Sequence, residues 1–203
     1  MNNQLDAVLR ESEKHHRHLC PRQVLGARMG LLAGEILGVT LPQTGKRLVT
    51  LVETDGCFAD GVSAATGCSL GHRTMRLIDV GRVAATFVDV QTERAIRIAP
   101  TASSRQAAID LIVNPKSRWH AYLEAYQILP DYDLFIVEDI ELSFSIAEVI
   151  SRPGWRVTCE QCGEEIINER EVVHNGRTLC RVCAGDSYYA VLTPFGSLQA
   201  TGD

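Results

Sequence analysis

Two cysteine pairs near the carboxyl end, Cys159-Glu-Gln-Cys162 and Cys180-Arg-Val-Cys183, have metal-ligand spacing. Two residues between thiolates let both sulfurs of a knuckle reach one tetrahedral ion at about 2.3 Å. Four cysteine ligands close the coordination sphere, so the expected zinc is structural and supports folding rather than catalysis. Three earlier segments hold the other thiols beside imidazoles and a carboxylate: His16, His18 and Cys20; Cys57 and Asp60; Cys68 and His72. Imidazole and thiolate suit zinc and similar ions. A thiolate at a helix start is also favoured by backbone N–H groups, and Cys57 stands at such a place. Asp60, one turn on, would orient an imidazole, accept a proton or cap its helix. Taken alone, Cys68 reads as a small buried hydrophobe and His72 as a loop residue.

These groups must be positioned by the elements around them. Leu5, Val8, Leu9 and Ser12 recur at helical spacing over Asn3–Lys14. A histidine-rich stretch leads to Cys20-Pro21, where Pro21 suits the start of a helix running from Gln23 to about Leu37. Leu25, Met29, Leu32 and Ile36 give that helix an apolar stripe. Gly26, Gly30, Ala33 and Gly34 keep a second face slim enough for another backbone, and Gly38 is the expected carboxyl cap. Arg47–Glu53 reads as a strand, Thr54-Asp55-Gly56 as a turn, and Phe58–Thr66 as a helix ended by Gly67. Met75–Asp79, Ala84–Val90 and Ala95–Ile98 read as strands, Ser103–Val113 and Ser117–Gln127 as helices, and Leu134–Ile140 as a last strand. The irregular alternation predicts an α+β core with a mixed or antiparallel sheet over residues 1–150.

Ser151-Arg152-Pro153-Gly154 marks a domain boundary, where Pro and Gly break whatever precedes them. A four-cysteine finger follows over 155–195, then a flexible tail over 196–203. Within the finger, Glu165–Glu169 and Val172–Leu179 predict a hairpin around Asn175-Gly176, and residues after Cys180 are helix-compatible to Tyr189. Knuckle, hairpin and helix are the order of a treble clef, with a zinc ribbon as the alternative. So short a segment cannot bury enough apolar area by itself, and the metal supplies the missing stability.

Composition narrows the partners. Of 203 residues, 45% are hydrophobic and 22% charged, with a formal charge of −5. From Arg152 onward there are five basic and seven acidic side chains, and a zinc–tetrathiolate centre is itself anionic, so phosphate binding is disfavoured and no nucleic-acid partner is expected. No stretch is long and apolar enough for a membrane span and the start does not read as a signal peptide, so a cytoplasmic location is expected. Seven cysteines, an odd number, fit metal or thiol chemistry better than a disulfide framework.

The segments His16-Arg17-His18-Leu19-Cys20-Pro21, Glu53-Thr54-Asp55-Gly56-Cys57-Phe58-Ala59-Asp60, Thr66-Gly67-Cys68-Ser69-Leu70-Gly71 and Asp79-Val80-Gly81-Arg82 together resemble the FmdE family of formylmethanofuran dehydrogenase components, over about residues 13–100. The resemblance implies a core that forms a homodimer, with a cleft lined by His16, His18, Cys20, Cys57, Asp60 and Cys68. It also implies a second divalent metal there, with His18 and Cys57 as the leading ligands. Arg17, Arg22 and His72-Arg73-Thr74 depart from the family's glycine-rich pattern. Some members carry a carboxyl-terminal treble-clef finger.

Three functions follow as expectations. The resemblance favours a metal-binding accessory of a molybdenum or tungsten oxidoreductase or of one-carbon metabolism. A free-standing enzyme would use Cys57 as nucleophile or metal ligand, with Asp60 or His18 as base. A metal- or redox-responsive regulator would dock a partner through the finger.

Overall fold

Helix α1 (Asn3–Glu13) buries Leu5, Val8, Leu9 and Ser12, the side chains that recur at helical spacing. The computed structural model describes residues 3–14, 18–150, 152 and 154–192. His15, His16, Arg17 and the tail expected over 196–203 lie outside them. The chain divides into two compact units, Met1–Phe144 and Ser145–Asp203.

In the first unit, helix α2 (Pro21–Leu37) starts on Pro21 and ends on Gly38, whose φ of 64° is the left-handed conformation that a glycine cap supplies. Helix α3 (Cys57–Thr66) begins after Gly56, at φ 74°, and stops at Gly67. The two helices approach through their glycines. A β-carbon on Gly26 would lie 2.2 Å from the Phe58 carbonyl oxygen, and one on Gly61 would lie 2.2 Å from that of Gln23. The slim face read from the sequence therefore accepts a helix. Gly26 meets Phe58 and Val62, and Gly30 meets Ala65 and Thr66, so the contacts advance together along both helices. The helices run parallel, with Cys20 and Cys57 at the same end.

These helices cover one face of a five-stranded sheet ordered β2-β1-β3-β4-β5. Its strands are β1 (Leu48–Val52), β2 (Met75–Leu77), β3 (Ala85–Asp89), β4 (Arg94–Pro100) and β5 (Phe135–Ile140). β1 and β2 are parallel and every other pairing is antiparallel, which makes the sheet mixed. Leu48, Val52, Phe87, Ile96 and Ile98 join Val24, Met29, Phe58 and Val62 in one apolar core. Burial of such side chains, at about 25 cal/mol per Å² of apolar surface, is the main force holding these layers together. Helices α4 (Ser104–Leu111), α5 (Arg118–Ile128) and α6 (Asp131–Leu134) lie between β4 and β5 in the chain. Arg28 ties α2 to this region, donating to the Tyr126 and Leu129 carbonyls and to Asp131.

The second unit opens with the short helix α7 (Ile146–Ile150) and then forms two hairpins. The first pairs β6 (Arg156–Thr158) with β7 (Glu165–Ile167), and the second pairs β8 (Val172–His174) with β9 (Arg177–Leu179). Asn175 and Gly176 turn the second hairpin at φ 51° and 75°, the two successive positive values that a tight two-residue turn needs. The residues after Cys180 form a tight turn, with Ala184 N–H donating to the Cys180 carbonyl and Asp186 N–H to that of Arg181. No further helix is assigned there among the described residues. Gly185, at φ 108°, takes the backbone out of helical geometry before the expected helix can extend to Tyr189. No helix among the described residues is long and apolar enough to cross a membrane.

Candidate metal centres

The finger places its first knuckle between β6 and β7 and its second immediately after β9. The sulfurs of Cys159, Cys162, Cys180 and Cys183 all lie within 4.8 Å of one another. Tetrahedral zinc with Zn–S bonds of about 2.3 Å requires sulfurs about 3.8 Å apart. Cys162 and Cys180 sulfurs are 3.9 Å apart, so the site fits zinc. Backbone N–H groups support the thiolates: Cys180 donates to Cys159 Sγ at 3.3 Å and Cys183 to Cys180 Sγ at 3.4 Å. The N–H groups of Cys162 and Cys180 bring the Cys159 thiol down to about 6. The neighbouring Cys180 sulfur, with burial, pushes the Cys183 thiol up to about 12. Four sulfurs this close resist sharing negative charge, and a divalent cation removes that repulsion.

The core arranges its groups differently. Cys20 caps α2 and is buried, while Cys57 is the first residue of α3 and is half-buried. Burial, a hydrogen bond with the Cys20 side chain and the Asp60 charge one turn on push the Cys57 thiol up. His18 is exposed, with its ring 6.1 Å from that of Trp119 on α5. His72 is exposed in the loop before β2. His16 falls outside the described residues. Cys68 is fully buried in the apolar core, where its sulfur donates to the Leu48 carbonyl at 3.4 Å and accepts from Gln43 Nε2 at 3.2 Å. Its sulfur is thus engaged inside the fold, as in the buried-hydrophobe reading. Among the described residues, only the finger cysteines form a group of three or more metal-capable side chains this close together. In the core, Cys20 and Cys57 stand at the starts of two parallel helices, with Asp60 one turn into α3.

A cavity of about 460 Å³ opens next to the start of α3, lined by Asp55, Gly56, Asp60, Ser69, Leu70 and Gly71 among others. A larger one of about 630 Å³, along α1, α2 and the end of α5, has neither thiol nor imidazole in its lining. Glu53 fixes the turn that feeds Cys57. Arg97 grips its carboxylate through Nε at 2.6 Å and Nη2 at 3.1 Å, and Arg82 adds a third contact at 2.7 Å. Burial opposes ionisation of Glu53, yet the two guanidiniums hold its carboxyl below the usual range. The backbone N–H groups of Val80 and Arg82 also donate to the Glu53 carbonyl. Two segments of the sequence pattern, Glu53–Asp60 and Asp79–Arg82, therefore meet. Arg97 was not singled out by the sequence, because it is brought to Glu53 only by the pairing of β3 with both β1 and β4.

Residues 15–136 match the family model described as FmdE, molybdenum formylmethanofuran dehydrogenase operon. The chain belongs to the FmdE family. Residues 154–189 match the prokaryotic dksA/traR C4-type zinc finger, in agreement with the four-sulfur geometry. The FmdE assignment covers the thiol pair, Asp60 and the cavity beside α3, while the finger match covers the zinc ligands. A protein of Archaeoglobus fulgidus described as a probable S-adenosyl-L-methionine-binding protein is 31% identical over 208 residues, 94% of this chain and 56% of that relative. This FmdE-family chain thus spans about half the length of the curated relative it matches. A crystal structure of a tungsten formylmethanofuran dehydrogenase FmdE-like protein from Syntrophus aciditrophicus shares the fold, with a TM-score of 0.57 at 19% identity over 92% of this chain and 95% of that one.

Proposed function

We propose that this FmdE-family protein binds metal at two places and serves a molybdenum or tungsten oxidoreductase as a homodimeric accessory. The finger holds a structural zinc. The core takes a second divalent ion on Cys57 and Cys20, with His18 completing the site and Asp60 accepting a hydrogen bond from a ligand or water. The observation that carries this reading is the convergence of the amino ends of two parallel helices, one capped by Cys20 and the other begun by Cys57. Burial and the neighbouring Cys20 side chain oppose a bare thiolate at Cys57, and a cation is what would allow thiolates to share that position. Unlike the finger, this site is assembled from two helix starts and the exposed His18, which leaves coordination positions for an exchangeable ligand. Purified protein should contain about two equivalents of divalent metal per chain. Cys57→Ala should reduce the content to the finger's single zinc, and His18→Ala should weaken the second ion without removing the first. Retention of a second ion in the Cys57→Ala, His18→Ala double variant would contradict this ligand set.

A second reading is favoured by the cavity beside α3. The name of the Archaeoglobus relative points to S-adenosyl-L-methionine, whose sulfonium and ammonium groups are cationic. Two carboxylates, Asp55 and Asp60, line this cavity together with the apolar Leu70 and Leu77. Equilibrium dialysis with labelled S-adenosyl-L-methionine tests this reading. Binding that weakens on Asp60→Asn supports it, and no binding at millimolar ligand removes it.

A further inference from the structure

Gln23 is a polar side chain with no exposed surface, two residues inside α2. Its carboxamide is fully engaged at two points. Oε1 accepts from the Cys20 backbone N–H at 2.8 Å. Nε2 donates to the Ser12 carbonyl at 3.2 Å and to Ser12 Oγ at 3.0 Å. Ser12 is itself fully buried near the end of α1. One side chain therefore grips the chain on both sides of residues 13–19, the stretch that carries His18, and the grip on one side is Cys20 itself.

We infer that Gln23 is the positioning residue of the core thiol site: it sets Cys20 against Cys57 and anchors both ends of the histidine-bearing stretch. The inference rests on the core-metal reading for its role, though not for its geometry. An amide is the group that both acts need, because it presents an acceptor to one backbone N–H and a donor to a carbonyl. A glutamate would turn an acceptor, and in its ionised form a buried negative charge, toward the Ser12 carbonyl. A methionine would fill the space but leave the Cys20 N–H and Ser12 unpaired. Close packing holds the rest in place, since the Gln23 carbonyl oxygen lies against Gly61, the glycine that lets α3 approach. Gln23 thus ties α1 and the cap of α2 through its carboxamide and meets α3 through its main-chain carbonyl, at the end where Cys57 begins its helix.

The test uses the full-length protein, with iodoacetamide labelling mapped by peptide mass and cobalt(II) titration followed through its thiolate charge-transfer bands. Cys57→Ala identifies the core component of the cobalt signal. Gln23→Met is expected to speed labelling of Cys20, only 8% exposed in the native fold, by about tenfold while Cys68 stays protected. It is also expected to weaken the core cobalt component by about tenfold and leave the finger component unchanged. Ser12→Ala, which spares the Cys20 bond, should give the same pattern with a smaller effect. Unchanged Cys20 labelling in Gln23→Met overturns the inference. So does labelling of Cys68 in step with Cys20, which would mean general loosening of the fold. If wild-type protein takes up cobalt only at the finger while Gln23→Met still exposes Cys20 selectively, the positioning of Cys20 stands and the core-metal reading falls.

Discussion

The finger and the core use the same chemical group in opposite ways. In the finger, four cysteines come from two knuckles carried by short hairpins, and little buried apolar surface exists beyond Cys159, Ile166 and Leu179. The metal site must therefore provide much of the folding energy. In the core, a large apolar cluster holds the fold, and packing of α2 on α3 brings the helix starts that carry Cys20 and Cys57 to the same end. The contrast teaches that neighbouring cysteines can be a cause of structure in one unit of a chain and a product of it in the other. Each unit should therefore respond differently to removal of its cysteines.

The largest expected effect is on the finger. Cys159→Ser, or chelation of the native protein, should abolish the ordered finger, because structural zinc binding contributes about 10 kcal/mol or more in small domains. Hydrogen exchange should then show residues 155–186 losing protection while the sheet of the first unit keeps it. Simultaneous loss in both units would break the comparison.

Next comes the helix contact. Gly61→Ala places a methyl against the Gln23 carbonyl oxygen and should cost about 2–3 kcal/mol, read as a lowered urea midpoint of the first unit. The same variant should raise the rate of Cys20 labelling, since the α2–α3 contact sets the thiol pair. Wild-type stability in Gly61→Ala would contradict the close approach.

Acid should separate the units by a smaller margin. Protons compete with zinc for thiolates, so lowering the pH should unload the finger before the core unfolds. The core is guarded by Asp89, buried at the end of β3 and bound by Arg47 Nε at 3.1 Å and Nη2 at 2.8 Å. The Arg47 hydrogen bond is the main cause holding the Asp89 carboxyl at about 2. An unfolded aspartate titrates near 3.9, so the folded value is depressed. Its stabilisation is complete above about pH 4 and is lost as pH falls through about 2. Arg47 is partly exposed, so solvent screens the pair and reduces what it contributes at neutral pH. Asp89→Asn should flatten the acid limb of the core's stability curve between about pH 4 and 2, as followed by circular dichroism. An unchanged acid limb would remove Asp89 from the account.

How much of this was legible in the sequence depended on distance along the chain. The knuckles, the Asn175-Gly176 turn and the slim glycine face of α2 are local signals, and each could be read from neighbours. The α+β class and mixed sheet followed from the order of elements. The extension of β4 to Pro100 was not legible, because Ala99 and Pro100 are held by pairing with Ile136 and Phe135 across three intervening helices. Nor was the short helix α7. The helix expected after Cys180 fails because Gly185 turns away, an outcome that apolar spacing alone does not encode.

The candidate core site was legible in parts. Cys20, Cys57 and Asp60 stand out at helix ends, and α2 and α3 place their starts at one end. Cys68 had two readings, and its bonds to Leu48 and Gln43 give it a place within the packed interior. Gln23 carries a local signal, since a glutamine three residues after a helix cap is the reaching-back half of a capping box. Its second grip, on Ser12, depends on how α1 packs and has no local signature. Arg97 likewise depends on strand pairing.

Native mass spectrometry of the full-length protein, purified without chelators and compared with Cys57→Ala, tests the central claim most directly. Two metal ions on the wild-type chain and one on the variant are predicted. A single ion on both, released together with finger order, would show that the thiol pair at the head of α2 and α3 holds no metal.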